Sequence, residues 1–398
     1  MTSDWIDSES KYYMHVVNRQ PVVIEKGNGA RVWDVAGKEY LDFTAGWAVT
    51  NLGHNHPEVT SAIQEQAQTL LQTSNQFYTL PQLRLAEALV ENSVLDKVFF
   101  SNSGAEANEG AAKLARKYGK IHLDGANEII TTLGSFHGRT IGMIAATGNP
   151  HYQENWGPLS PDFINVEYNN LDEIKNATTD KTCAIMVEVI QGEGGVIIPS
   201  EGYLKGLREW CDEKKILLIF DDVQCGAGRL GTLWGYETAG VEPDVMTLAK
   251  GLGNGVPIGA FMCKEWCDVL EPGDHGSTFG GNPLATAAAN ATVRYMIEQD
   301  IPSAALSIGR YLRSKLEDLA QSYSEIVTEV RGVGLLLALV FQEQISAKLV
   351  AECNQLGLLL NPVRPNAIRL MPPLIVSESD CDEAVGIIET ALKKVLGN

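Results

Sequence analysis

Four segments of the 398-residue chain place polar or cationic residues directly after apolar runs that are typical of buried strands. They read FFSNSGAEANEG (99–110), LGSFHGRT (133–140), ILLIFDDVQCGAGR (216–229) and VMTLAKGLGNGVPIG (245–259). Open α/β sheets bind ligands outside the carboxyl ends of their strands. We therefore expect these four segments to converge on one site.

The first of these segments predicts a phosphate site. Its strand should end at Ser101, and a helix should begin near Gly104 or Ala105. The free N–H groups and positive dipole end of a helix N-terminus bind phosphate, and Ser103 adds a hydroxyl. Simple N-capping by Ser103 would explain the same residues without a ligand.

Asp221 and Lys250 each follow an apolar run. A carboxylate so close to a core strand costs on the order of several kcal/mol unless it meets a cation, such as a protonated ring nitrogen. Desolvation lowers the pKa of a lysine, and the neutral amine can form a Schiff base with an aldehyde. The alternatives are that Asp221 caps the next turn and that Lys250 reaches solvent.

Phe136 and Arg139 could face a flat ring and a carboxylate, although a core Phe and a surface Arg are the simpler interpretations. The four segments together call for one ligand. It needs a phosphate for the helix terminus, a basic ring nitrogen for Asp221, a flat face for Phe136 and an aldehyde for Lys250. Pyridoxal 5′-phosphate (PLP) has all four.

Motifs for other chemistries are absent from the sequence: there is no GxGxxG after the first strand, no GxxxxGK[ST] and no GxSxG. His54 and His56 have no acids or cysteines beside them, so we expect structural histidines rather than metal ligands, and His137 and His275 are similarly isolated. The seven cysteines are scattered without a CxxC pair, which favours a reduced, cytoplasmic protein without a zinc site.

Hydrophobic periodicity predicts the elements that must position these residues. Helical patterns cover 104–118 and 202–214. Continuous apolar runs alternate with helical patterns from about residue 51 to 283, at 97–101, 128–133, 184–190, 216–222, 245–249 and 258–263. Runs of this kind, separated by helices, are typical of parallel strands buried on both faces. We predict an α/β fold with a mostly parallel central sheet.

The flanking regions predict a second, smaller α+β domain. Residues 284–299 form one long helical pattern, after which we expect a helix, a strand, a helix, two strands and a final helix capped by Ser377 and Asp380. These patterns divide the chain into three regions. Residues 1–50 form an N-terminal arm with short strands, residues 51–283 form a large domain, and residues 284–398 form a bridging helix and the small domain.

Composition excludes several classes of partner. The chain has 44% hydrophobic and 20% charged residues and a formal net charge of -19. A surface this acidic repels nucleic acid and anionic membranes. The N-terminus lacks the apolar segment of a signal peptide, and no apolar run approaches the ~20 residues that a membrane span needs.

The sequence resembles the class III PLP-dependent aminotransferases over nearly its whole length. The likeness is carried by AGWAVTNLGHNHP, NSGAEANEGAAKLARK, FHGRT, QGEGGV, FDDVQCGAGRLG, LAKGLGNGVPIGA, HGSTFGGNP, VRGVGLLLAL and IRLMPPL, in this order. It is closest to the branch of that family that acts on N-acetylornithine. The resemblance implies PLP fold type I, with a small domain built from both chain ends, and a homodimer with its sites at the interface.

The resemblance also implies roles for individual residues. Lys250 would bind the cofactor aldehyde and Asp221 would pair with the ring nitrogen, which makes these two the catalytic residues. The remaining cofactor contacts would come from Ser103, Gly104, Ala105, Phe136, Asp222, Val223, Gln224 and, toward the partner subunit, Thr278. Substrate would contact Arg139, Glu193, Ser277 and Arg369.

The implied reaction moves the terminal amine of N-acetylornithine to 2-oxoglutarate, giving glutamate. Alternatives on the same fold are an aminomutase, a decarboxylase, a racemase or a non-catalytic binding protein. Other donors remain open: ornithine, succinyl-diaminopimelate, 4-aminobutyrate or a carrier-bound lysine. The chain departs from the family pattern at Asp222, Cys225 and Val189, where Glu, Thr and Pro are usual, and Trp47 stands where ornithine-specific members have Tyr.

Overall fold

The computed structural model describes residues 2–397. The N-terminal arm begins with α1 (Thr2–Tyr12). A short antiparallel meander and three further helical segments follow, namely β1 (Ile24–Asn28), β2 (Arg31–Asp34), β3 (Glu39–Asp42), α2 (Ala45–Ala48), α3 (Pro57–Thr69) and α4 (Leu80–Glu91). Pro57 and Pro81 stand in the first turns of α3 and α4, where a missing N–H costs nothing.

A seven-stranded sheet forms the centre of the large domain. Its strands are β4 (Lys97–Ser101), β5 (Glu128–Thr132), β6 (Phe163–Val166), β7 (Thr182–Glu188), β8 (Leu217–Asp221), β9 (Val245–Leu248) and β10 (Gly259–Cys263). Their order across the sheet is β4-β10-β9-β8-β7-β5-β6. The connecting helices are α5 (Gly104–His122), α6 (Ile141–Ala146), α7 (Pro150–Gln153), α8 (Leu171–Ala177), α9 (Tyr203–Lys214) and α10 (Gly235–Ala239), with 3₁₀ turns at Lys250–Leu252 and Glu265–Cys267.

The predicted mostly parallel sheet is confirmed, with two corrections. Strand β10 runs antiparallel to both β4 and β9, although its sequence was expected to form a parallel strand like the others. All five residues of β10 are buried, as are those of β8, and burial on both faces produces the same apolar run in either direction. The edge strand β6 was not predicted, because three of its four residues are only half-buried.

The C-terminal part also has more strands than expected. The bridging helix α11 (Pro283–Glu298) matches the predicted pattern. The elements after it are α12 (Ile301–Ser322), β11 (Val327–Val333), β12 (Leu336–Phe341), α13 (Ser346–Leu356), β13 (Leu358–Leu359), β14 (Asn361–Arg364), β15 (Ala367–Leu370) and α14 (Glu378–Leu396). Thus the β11–β12 hairpin stands where one strand was expected after α12. The three strands β13, β14 and β15 stand where two strands were expected after α13.

Strand pairing joins the two ends of the chain. Two-residue β13 pairs in parallel with β3, so that the meander of the N-terminal arm and the C-terminal region share one sheet. A second four-stranded sheet has the order β11-β12-β15-β14. The expected capping box at the start of α14 is present, since Ser377 and Asp380 bond each other's backbone N–H. None of the helices of residues 2–397 combines the length and apolar composition that a membrane span requires.

Candidate active site

A cavity of about 420 Å³ is lined by residues from all four of the segments that follow the strands. These segments end β4, β8 and β9 or follow β5, so they meet at the carboxyl edge of the central sheet. The cavity is lined by these predicted site residues: Ser103, Gly104, Ala105, Phe136, Arg139, Glu193, Asp221, Val223, Gln224 and Lys250. The sheet thus brings together most of the predicted set.

One end of the cavity is the N-terminus of α5. The Ser103 side chain accepts a hydrogen bond from Glu106 N at 3.2 Å, so it does cap the helix as the simpler interpretation held. The backbone N–H groups of Gly104 and Ala105 have no acceptor within residues 2–397. A Cβ on Gly104 would lie 2.9 Å from Val223 Cγ1, so glycine keeps this corner open. The cap and an anion site therefore coexist here.

Asp221 is held by two side chains that the sequence patterns did not single out. Its Oδ2 accepts from Asn108 Nδ2 at 2.7 Å and lies 2.7 Å from His137 Nδ1, and all three side chains are buried. Among residues 2–397, its Oδ1 accepts only the Val223 N–H, at 3.1 Å. The expectation that His137 is isolated is therefore wrong, because α5 and the loop after β5 carry Asn108 and His137 to the same oxygen.

Glu188 is a third residue that sequence reasoning missed. It ends β7, pairs in register with Asp221 of β8 and lines the cavity. Its oxygens accept the N–H groups of Phe136 at 3.3 Å and Gly192 at 3.4 Å. Burial, reinforced by Asp221, raises the pKa of Glu188 well above its usual value. An acid inside the apolar run 184–190 was the signal available in the sequence.

Lys250 follows β9 in a left-handed backbone conformation, with φ of 44°. Its Nζ atom makes no hydrogen bond or ion pair with any residue in the described range 2–397. Burial lowers the pKa of Lys250, and the nearby carboxylate of Glu193 offsets this only in part. The side chain is thus an amine kept available in the cavity.

Arg369 is fully buried and reaches the cavity through its partners. Its NH2 group donates to Glu193 at 2.7 Å and to Asn361 at 2.9 Å, and its NH1 group donates to Gln224 Oε1 at 3.0 Å. Burial opposes ionisation of Glu193, but the positive charges of Arg369, Lys250 and Arg364 together outweigh it and lower the pKa of that carboxyl. Arg369 on β15 thus links the small domain to the site.

Arg139 lies at the open side of the cavity. Its guanidinium carbon is 3.7 Å from the centroid of the Tyr152 ring and 5.3 Å from that of Phe136. The side chain is exposed, and it makes no ion pair with an acid among the described residues. Stacking on an aromatic face orients a guanidinium while leaving its N–H groups free for a carboxylate.

Besides Arg369, three predicted site residues lie outside this cavity. Asp222 does not line the cavity and accepts the Gly235 N–H at 2.8 Å. Alternate residues of an extended chain face opposite sides, so Asp222 faces away from its neighbour Asp221. Ser277 and Thr278 line a separate depression with Asn102. The Ser277 hydroxyl accepts from Asn102 Nδ2 at 3.2 Å, and Thr278 is exposed. Within one chain neither residue reaches the cavity, so a direct substrate contact by Ser277 in its own subunit is not supported.

The residues that line the cavity fit PLP. Two unpaired backbone N–H groups at a helix N-terminus suit a phosphate. The buried amide nitrogen of Gln224 has no hydrogen-bond partner among the described residues, which suits a phenolic oxygen. Asp221, fixed by two donors on one oxygen, leaves the other oxygen available for a protonated ring nitrogen. The Lys250 amine completes the set.

Comparisons with known proteins agree with this geometry. The family model "Aminotransferase class-III" matches residues 12–392. The chain is 47% identical to an acetylornithine aminotransferase of Methanocaldococcus jannaschii, covering 98% of both chains. The structure is similar to the ornithine aminotransferase of Toxoplasma gondii, with a TM-score of 0.95, 35% identity and coverage of 100% and 96% of the two chains. It is also similar to an acetylornithine aminotransferase from Elizabethkingia anophelis, with a TM-score of 0.88, 34% identity and 99% coverage of each chain.

Proposed function

The chain belongs to the class III aminotransferases, and from this premise we propose that it moves the terminal amine of N-acetylornithine to 2-oxoglutarate. The products are N-acetylglutamate semialdehyde and glutamate, in a step of arginine biosynthesis. One observation carries the proposal: an unpaired buried lysine, a fixed carboxylate and the Glu193–Arg369 pair meet at one cavity. Relatives at 43–48% identity named acetylornithine aminotransferases support this donor.

The enzyme depends on PLP, which when bound supplies an aldehyde for the donor's amine and a ring that accepts the electrons of the broken C–H bond. The chain's own residues do the rest. Ser103, Gly104 and Ala105 bind the phosphate, and Asp221 keeps a proton on the ring nitrogen. The Nζ atom of Lys250 would take the proton from the amine-bearing carbon of the donor and would deliver it to the carbon of the cofactor's aldehyde group, two atoms away. Because the Asp221 contact strengthens as charge develops, it favours the transition state.

The Glu193–Arg369 pair lets one site accept two unlike substrates. Glutamate and 2-oxoglutarate carry a carboxylate beside the reacting carbon, whereas the terminal amine of N-acetylornithine has no charge there. A buried arginine without a partner would be costly when the second substrate is bound. Glu193 neutralises Arg369 in that state and moves aside for the carboxylate of the first. Its half-exposed side chain leaves it room to do so.

Specificity for the acetylated donor follows from the charges that the donor carries at the end opposite its reacting amine. The α-carboxylate of the donor would bind Arg139. Free ornithine brings an α-ammonium to the same place, where this guanidinium repels it, while acylation removes that charge. In the family, ornithine-specific members hold the carboxylate with a Tyr at the position of Val17, which lacks the hydroxyl. Trp47 changes the pocket wall and leaves a succinyl group as the alternative acyl group.

We propose that the enzyme is a cytoplasmic homodimer. Asn75 Nδ2 donates to Ser277 O at 2.9 Å and so joins two segments that carry exposed apolar side chains, namely Phe77, Tyr78, Leu80 and Phe279. An exposed patch of this kind is typical of an interface. Burial of the patch against a second copy would place Thr278 at the partner's phosphate. The seven cysteines are unpaired, which agrees with a reducing compartment.

A donor panel tests the assignment. With 2-oxoglutarate fixed, kcat/KM should be more than about tenfold higher for N-acetylornithine than for ornithine, 4-aminobutyrate or N-succinyl-diaminopimelate, a difference of roughly 1.4 kcal/mol. Equal values for ornithine would reject the donor and keep the aminotransferase chemistry. Turnover without 2-oxoglutarate would indicate an aminomutase instead.

A further inference from the structure

We propose that Arg369 is a positioning residue for Gln224, fixing the side-chain amide so that its NH2 group donates to the phenolic oxygen of the bound cofactor. This goes beyond the carboxylate-binding role of Arg369, and it rests on the proposed function because it requires PLP in the cavity.

The argument begins with the chemistry of the two groups. An amide can present either its oxygen or its NH2 group to a neighbour, and the two ends have nearly the same shape. A guanidinium has five N–H donors and no acceptor. With Arg369 NH1 only 3.0 Å from the Gln224 amide, the amide oxygen must face the arginine. The NH2 group must then face elsewhere.

Packing holds this orientation. Gln224 is 6% exposed, and its Nε2 atom is buried without a hydrogen-bond partner in the described part of the chain. A Cβ on Gly192 would lie 1.7 Å from Gln224 Oε1 and 3.4 Å from Arg369 NH1. The amide oxygen is therefore enclosed between the Gly192 backbone and the guanidinium. Since Gln224 lines the cavity, its unpaired donor is available there.

The neighbours of Arg369 hold the guanidinium itself in place. Glu193 and Asn361 both accept from NH2, so NH1 is left for Gln224. Gly192 and Glu193 are adjacent in one loop. The loop thus supplies both the space for the amide oxygen and the carboxylate that anchors its donor. Without Arg369, nothing in this set would distinguish the two ends of the Gln224 amide.

A double-mutant cycle on the holoenzyme tests the proposal through the pH titration of the visible absorption band. A hydrogen bond donated to the phenolic oxygen favours its anionic form, so Gln224→Ala should raise the titration midpoint by about one pH unit. Arg369→Met should raise it as well. In the Gln224→Ala background, however, the effect of Arg369→Met should fall by at least half, because its route through the amide is gone.

Equal shifts by Arg369→Met in the two backgrounds would overturn the proposal, since they would show that Arg369 acts through its charge alone. Arg364→Met is the matched control, because Arg364 bonds Gly194 O at 3.0 Å and does not contact Gln224; it should leave the midpoint unchanged. If Arg369→Met does not retain cofactor, Arg369→Gln repeats the cycle, since it can still bond Glu193 without being an obligatory donor. Absence of a visible band that depends on Lys250 would instead reject the proposed function.

Discussion

At the scale of single residues, surroundings separate Lys250 from the other lysines of the chain. Lys264 also follows a strand of the central sheet, yet its ammonium pairs with Glu242 at 2.8 Å. Lys250 has no such partner in the part of the chain that the structure describes, and burial lowers its pKa. Both lysines come just after a strand of the central sheet, but within the described range only Lys264 has an acidic partner. Lys264 is therefore a useful control.

Lys250→Ala should abolish turnover, because no other lysine of the described residues lines the cavity to move the proton. The wild-type protein should be yellow and should retain cofactor covalently after borohydride reduction, as measured by mass spectrometry. Lys250→Ala should show no fixed cofactor, and Lys264→Ala should behave as wild type. Turnover of Lys250→Ala at the wild-type rate would reject the assignment of this lysine.

Asp221→Asn should keep some PLP and lose at least about 100-fold in kcat, since a charge-assisted contact to the ring contributes on the order of 3 kcal/mol to the transition state. His137→Leu removes one of the two donors on Asp221 Oδ2 and should give an intermediate loss. His151, which is exposed, provides the control substitution His151→Ala. An Asp221→Asn enzyme within about threefold of wild type would show that Asp221 only caps its turn.

Arg369→Ala should affect the two half-reactions unequally. The 2-oxoglutarate half-reaction needs a cation for the carboxylate beside the reacting carbon, whereas the donor half-reaction does not. Single-turnover rates measured separately with N-acetylornithine and with 2-oxoglutarate should therefore fall much more for the second substrate. Equal losses would argue against a switch between Glu193 and Arg369.

At the scale of elements, α2 is a strained left-handed turn that borders the site. Residues 45–48 all have positive φ values, between 46° and 64°, and only Gly46 among them is a glycine. Each of the others costs roughly 1–2 kcal/mol in this conformation. Asp42 compensates by accepting hydrogen bonds from the Thr44 N–H and hydroxyl, from Ala45 N and from His54. This turn leads directly to Val49, which lines the cavity.

Asp42→Asn should destabilise the fold by about 3 kcal/mol at pH 7, because hydrogen bonds to a charged acceptor are lost. Burial opposes ionisation of Asp42, but bonds from His54 and Thr44 lower its pKa below the usual value. A lowered carboxyl pKa stabilises the fold above the unfolded-state pKa of about 4, and this contribution is lost as the pH falls below it. Urea unfolding of wild type and Asp42→Asn should therefore converge as the pH falls below about 4.

Asp34 offers a matched control for this prediction. It is also buried in a turn of the same meander, where it accepts from Ala36 N, Lys38 N and the Tyr40 hydroxyl. Asp34→Asn should destabilise the protein without weakening its retention of PLP. Asp42→Asn should do both, because the turn that it supports borders the cavity. Equal PLP retention by the two variants would contradict a role of the turn in the site.

At the scale of the whole molecule, the small domain and the large domain share a buried arginine. Arg229 is fully buried and donates to Leu335 O at 2.9 Å, Pro372 O at 2.6 Å and Asn51 Oδ1 at 2.6 Å. These acceptors belong to segments that are far apart in the chain. The network therefore holds the two regions in one arrangement, with Arg369 of the small domain beside the cavity of the large one.

Subunit exchange tests whether the sites are shared. If Thr278 serves the partner's phosphate, a hybrid of Lys250→Ala and Thr278→Ala subunits has one site that lacks both groups and one intact site. Mixing and exchanging the two inactive or weakened homodimers should therefore restore up to half of the wild-type activity per hybrid dimer. No restoration after verified exchange would place Thr278 in its own subunit's site or outside both sites.

Much of the fold and of the site could be predicted from local sequence. Long apolar runs specify buried strands whatever their neighbours are, and Ser103 and Ser377 mark helix starts because capping is a local interaction. Lys250 and Asp221 could be found because a charged group after an apolar run is unusual. Glu188 is likewise a charged residue within an apolar run, 184–190. Its position beside Asp221, however, depends on the order of the strands in the sheet.

Tertiary structure decided the direction of individual strands and the contacts between residues that are far apart in the sequence. The apolar content of β10 is the same for either direction, so only pairing with β4 and β9 shows that it is antiparallel. Asn108 and His137 meet Asp221 from positions 113 and 84 residues away, and no local pattern records such a contact. The orientation of the Gln224 amide likewise depends on a guanidinium 145 residues distant. Sequence by itself determined which residues could do the chemistry, and packing determined which atoms of those residues face the cavity.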